Sequence, residues 1–169
     1  MKKMIFLLSS VALLFACNSG MTPVEYNDKI ITEQTKITKL FLEMNNYASI
    51  DVEKADSIRG LTVIQCDSSI AVLKGMPDFD GDSKFKNAAI NLFQFYKDIN
   101  QNEYKEMLAI LQKEDVVMED IERMSVIQEQ VSSKETGFDS KLEQAQNEFA
   151  KKNNIQIAPN AMQNSIDNL

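Results

Sequence analysis

Residues 115–152 read DVVMEDIERMSVIQEQVSSKETGFDSKLEQAQNEFAKK, and the spacing of their apolar side chains decides the fold class. Val117, Ile121, Met124, Val131, Phe138, Leu142, Ala145 and Phe149 fall on one heptad track, with Gln128 and Glu135 its only polar occupants. Steps of three and four sustained over this length describe a helix with a narrow apolar seam, not alternating strands. Such a seam has to be buried against other helices. Phe138 and Leu142 are therefore expected in the core. The stretch is expected to be one helix from about Asp115 to Lys152, with Gly137 as its one weak helix former.

The segments before it carry the same periodicity. Thr22-Pro23-Val24-Glu25 reads as a capping box with proline at the first helical position. The helix it opens runs to about Tyr47 on Tyr26, Ile30, Ile37, Phe41 and Met44, with Gln34 interrupting the stripe. Asp51 caps a second helix ending near Lys74, where Gly75 supplies a left-handed terminus. Val52, Ala55, Val63, Cys66, Ile70 and Leu73 lie on one side, and Ile58, Leu61, Ile64 and Val72 widen the apolar surface. With few charges, this helix is expected to be the most buried. Gly60 inside it costs about 1 kcal/mol relative to alanine. A close helix–helix approach would justify that cost.

Asp82 or Ser83 opens a third helix on Phe85, Ala89, Leu92, Tyr96 and Ile99. Its stripe loses phase at Asn100-Gln101-Asn102 and resumes at Tyr104, Leu108 and Leu111. A bent continuous helix is the expectation. The sum is an all-α, up-and-down bundle of about four long helices over residues 22–152, followed by an irregular Asn/Gln-rich tail over 153–169.

The first seventeen residues carry an address. Lys2 and Lys3 precede an apolar run from Met4 to Leu14 that is too short to span a bilayer, and Ala16 stands directly before Cys17. This is the layout of a secretory signal over residues 1–16. It resembles the bacterial lipoprotein type, in which the thiol of Cys17 is acylated and residues 17–21 form a short tether. Phe15 is an unusual occupant of its place in that motif.

Removing the signal takes two lysines from the 18 basic residues and leaves 16 against 25 acidic. A chain so acidic has no electrostatic reason to bind nucleic acid or an anionic membrane surface through basic patches. Its membrane contact would be the lipid. With Cys17 acylated, Cys66 has no disulfide partner and reads as a small buried core residue. The chain has no histidine, which removes the commonest general base and transition-metal ligand. That omission argues against an enzyme, and no cofactor is implied.

Asp78, Asp80 and Asp82 alternate in the turn before the third helix, as the first ligands of a calcium loop do. The rest of that pattern fails. Ser83 stands where glycine should follow, and Ala89 occupies the place of the closing glutamate. A solvated acidic turn is the plainer reading. Glu103 and Glu106, and Asp115, Glu119 and Glu122, share helix faces that read as solvated.

The signal, the helix entered by Tyr26-Asn27-Asp28, and the turn Phe79-Asp80-Gly81-Asp82 before a helix bearing Phe85 together resemble a family of small helical surface lipoproteins. That family occurs in leptospires and Bacteroidota and has no assigned biochemical activity. The resemblance implies a helical extracytoplasmic lipoprotein and brings over no functional residues. The location expected is the bacterial cell envelope, lipid-anchored at the outer membrane, with the periplasmic or surface side undecided.

The function expected is non-catalytic, binding a protein partner or supporting the envelope. The alternative is a calcium- or carboxylate-dependent envelope enzyme built on the Asp78–Asp82 turn. In an up-and-down bundle that turn lies at the lipid end. The far end carries the turn near Ser49–Asp51 and the hairpin between Leu111 and Val117. A continuous third helix would overhang the first two by roughly 6–9 Å. Tyr104, Met107, Leu108, Val116 and Val117 would then be partly uncovered, and they are the candidate partner-binding residues.

Overall fold

The structure, a computed structural model, describes residues 20–157. The signal segment with Cys17, and the tail from 158 onward, lie outside the described residues. Five helical segments follow one another: α1 (Pro23–Ala48), α2 (Val52–Gly75), α3 (Lys84–Gln101), α4 (Glu103–Leu111) and α5 (Met118–Asn153). They form four rods of an antiparallel bundle, the third rod being α3 and α4 together. No strand occurs among the described residues, only an isolated bridge between Phe79 and Asp82. The fold is an all-α helical bundle.

The caps follow from the residues that make them. Thr22 Oγ1 accepts from the Glu25 N–H at 3.2 Å, and Glu25 returns the bond to the Thr22 N–H at 2.7 Å. Asp51 accepts from the Lys54 N–H at 3.0 Å. Gly75 does not take a left-handed conformation. It closes the last turn of α2, and Met76 leaves it with extended geometry. The reversal of the chain falls instead on Asp80 (φ 49°) and Gly81 (φ 76°). Two left-handed residues make a tight turn whose flanks, Phe79 and Asp82, exchange backbone hydrogen bonds of 3.1 and 2.9 Å. α5 ends on a left-handed Asn154, and the Ile155 N–H reaches back to the Ala150 carbonyl at 3.1 Å. Ile155 then packs on the core, so the packed unit extends past Lys152.

The third rod is broken rather than continuous. Asn102 ends α3 and begins α4 with φ −118° and ψ −78°. Asparagine amides compete for backbone carbonyls at the interruption. Asn100 Nδ2 donates to the Tyr96 carbonyl at 2.7 Å and Asn102 Nδ2 to the Asp98 carbonyl at 2.9 Å. Arg59 of α2 takes the Asn100 carbonyl at 2.8 Å.

The main core joins α1, α2, α3 and α5 along Tyr26, Ile30, Ile37, Cys66, Leu73, Phe85, Leu92, Phe93, Ile99, Ile127, Val131 and Leu142. A second cluster of Met44, Ala55, Ile58 and Leu108 seats α4 on α1 and α2. The gap that Gln34 makes in the α1 stripe is buried too, together with Glu33 and Thr38.

Two expectations of burial fail. Leu61 and Ile64 of α2 are 54% and 66% exposed, so the sparsely charged helix keeps an open outer face. Val117 and Ile121 of the α5 track are each 50% exposed, while Ile127, off the track, is buried. A straight helix of 3.6 residues per turn rotates away from a strict heptad seam by about 20° per heptad. Over more than four heptads from Phe149 back to Val117, the seam turns roughly 90° away from the core. Phe138 is half-buried, stacked on Phe95 with ring centroids 4.8 Å apart.

Candidate partner-binding surface

The chain crosses from α4 to α5 through residues 112–117, all exposed. Ion pairs clamp the hairpin. Arg123 grips Glu106 with two hydrogen bonds of 2.6 and 2.8 Å, Lys113 holds Asp120 at 2.6 Å, and Lys134 stands 4.0 Å from Glu103. The fork of Arg123 holds the Glu106 carboxyl below its usual range. Lys113, followed by the Val117 N–H, does the same for Asp120. The clamp fixes the direction of the tip, where Leu111, Val116, Val117, Met118 and Ile121 stand exposed. Met118 is the most open of them at 66%. Glu114, Asp115, Glu119 and Glu122 flank these side chains in sequence, and none of the ion pairs among the described residues engages them.

Of the residues expected here, Val116 and Val117 are on this surface. Leu108 is not, being 4% exposed beneath α4. Tyr104 and Met107 pack against the core, with the Tyr104 ring 5.8 Å from Phe41. The break at Asn102 is the reason, because α4 sets these side chains down on α1 and α2 instead of carrying them past the bundle. Leu111, Met118 and Ile121 were missed by sequence reasoning. The heptad drift is the signal that identifies Ile121.

The opposite end is closed by aromatics. Tyr26, Phe79, Phe85 and Phe149 meet with centroid distances of 5.2 to 5.4 Å, which draws the start of α1, the α2–α3 turn and the end of α5 together. Burial pushes the Tyr26 phenol up to about 12, with Asp78 and Asp82 adding to the shift.

The three turn aspartates do not converge. Lys86 Nζ binds Asp78 at 2.7 Å and also donates to the Met76 carbonyl. Asp82 accepts from the Lys84 N–H at 3.0 Å, and its other oxygen faces Lys152 at 3.2 Å. Asp80 sits at the left-handed corner. Lysines thus occupy two of the three carboxylates a cation would need. Among the described residues no group of three or more His, Cys, Asp or Glu side chains is placed to hold a metal ion.

Two carboxylates lie against the packed interior, Glu33 buried and Glu135 partly buried. Glu33, 1% exposed, accepts from Lys36 at 2.7 Å and from the Ser69 hydroxyl at 2.9 Å, and Gln65 donates to Ser69 at 3.0 Å. Glu135 lies beside Tyr96 and Tyr104. Burial raises its carboxyl, and the Tyr96 hydroxyl that donates to it lowers it. Burial also lifts the Tyr96 and Tyr104 phenols, with Glu135 adding to both. Cys66 is fully buried and free, its thiol pushed up to about 12 by burial, which makes it a poor nucleophile.

No protein-family model matches the chain, and comparison with curated proteins and with solved structures likewise finds no match. Among the described residues no helix is long and apolar enough to cross a membrane.

Proposed function

We propose that the protein is a non-catalytic, lipid-anchored helical bundle of the bacterial cell envelope that presents its distal tip to a protein partner. The observation that carries this reading is the exposed cluster of Val116, Val117, Met118 and Ile121. It lies at the end of the bundle opposite Thr22, where the tether from Cys17 enters. The unpaired carboxylates around it favour a partner with an apolar contact set in a basic rim. Lipidation at Cys17 supplies the membrane contact, and the outer membrane is the site of anchoring.

Two measurements test the two halves of this reading. Mass spectrometry of the mature N-terminus is expected to find acylated Cys17 with residues 1–16 removed. A soluble, unacylated product removes the anchor. Photo-crosslinking on intact cells through position 118 is expected to capture a partner. With the crosslinker kept at position 118, substituting Val116, Val117 and Ile121 together with serine should abolish that capture without loss of helical content. Capture that survives the triple substitution rejects the tip as the binding surface.

A further inference from the structure

Between Arg59 and Lys74 the only charge on α2 is Asp67, which Lys97 holds at 2.7 Å. A helix this poor in charge belongs inside a structure. Its inner face is satisfied by Ala55, Ile58, Thr62, Cys66, Ser69 and Leu73. Its outer line runs Glu53, Ser57, Gly60, Ile64, Ser68 and Ala71 in steps of three and four, with Leu61 beside Ile64. Leu61 and Ile64 are its two exposed large apolar side chains. A Cβ built at Gly60 meets nothing within 4 Å, so the close approach that would justify this glycine is not made among the described residues.

We infer that a second copy of this chain covers the face, and that two α2 helices pair antiparallel about a two-fold axis near Ile64. The charges select both occupant and direction. Glu53 at the start of α2 and Lys74 at its end are exposed, and neither joins an ion pair among the described residues. Antiparallel pairing sets Gly60 opposite Ser68 of the second copy and Ser57 opposite its Ala71. Glu53 then lies beside Lys74 of the second copy, and the symmetry repeats this ion pair at the other end. Parallel pairing would place Glu53 against Glu53 and Lys74 against Lys74. The small side chains form the holes into which Ile64 and Leu61 of the opposing helix fit.

The two-fold axis lies across α2, so the N-termini leave from opposite ends of the pair. If Cys17 carries lipid, as the proposed function holds, the dimer joins two facing bilayers rather than two copies on one.

The test uses the full chain. Sedimentation of the wild type in detergent is expected to give twice the mass of one chain, the dimer fraction rising with concentration. Glu53→Lys and Lys74→Glu should each raise the concentration at which the dimer forms, and the double reversal should restore the dimer. Oxidised Ser57→Cys/Ala71→Cys should yield a covalent dimer, whereas Ser57→Cys alone should not. Within one chain these positions stand about 21 Å apart along the helix, beyond disulfide reach. A monomer at every concentration, a dimer indifferent to both reversals, or equal crosslinking by Ser57→Cys alone each overturns the pairing. So does a monomeric chain whose α2 crosslinks to a different protein. Acylated protein reconstituted into vesicles should cluster them. A dimer in detergent that fails to cluster vesicles overturns the anchored arrangement while the α2 pairing stands.

Discussion

Glu33 and Glu135 are carboxylates placed where apolar side chains would be expected, and their surroundings differ. Glu33 is bound on both oxygens by Lys36 and Ser69. Removing the hydroxyl with Ser69→Ala leaves one oxygen without a donor in a dry site, at a cost of about 1–3 kcal/mol readable in urea unfolding. Glu135 is under-compensated, since burial raises its carboxyl more than the Tyr96 hydroxyl lowers it. The folded state therefore holds this proton more tightly than the unfolded chain does. Stability is lost as pH rises through the raised folded value, and the penalty is absent below the ordinary 4.5. Glu135→Gln keeps an acceptor for Tyr96 without the charge. It should melt above the wild type at neutral pH, with the gap closing in acid. A gap that widens in acid would contradict the assignment.

At the scale of elements, the broken third rod and the drifting seam of α5 have one consequence, a bundle better packed in its middle than along its last helix. Phe93 of α3 is 0% exposed, while Phe138 of α5 only stacks on Phe95 at the rim. Phe93→Ala should cost about 3–5 kcal/mol, since it opens a cavity on all sides. Phe138→Ala should cost no more than about 2 kcal/mol, because water and neighbours fill the space it leaves. Equal losses in denaturant unfolding would place the α5 seam deeper than the structure does. The asparagines at 100 and 102 were legible as a loss of phase. That they break the rod depends on Arg59 reaching across from α2 to take the Asn100 carbonyl, a contact 41 residues away in sequence.

The whole molecule has two unlike ends. One is locked by the rings of Tyr26, Phe79, Phe85 and Phe149, and the other is held by ion pairs over exposed apolar side chains. Exposed clamps are screened by salt and each contributes little on its own. Hydrogen exchange should therefore be fastest in the hairpin and first turns of α5, and slowest in α3, which is buried along Phe85, Ala89, Leu92, Phe93 and Tyr96. Added salt should speed exchange at the hairpin and leave the aromatic end unchanged. A uniform profile would mean that the bundle opens as one unit.

Periodicity and capping chemistry are local, so the sequence alone determined the helices, the Thr22 and Asp51 caps, the bundle class and the apolar stripe of α3. Composition likewise determined that no histidine is present for catalysis. The outer face of α2 was different, because a run of apolar residues does not say which of them a neighbour will cover. Leu61 and Ile64 are as apolar as Ile58 and Ile70, and only the placement of α1 and α3 divides the exposed pair from the buried one. The same holds at the tip, where Leu108 turns inward and Ile121 outward. Burial is a property of what surrounds a side chain, and tertiary structure alone decides it.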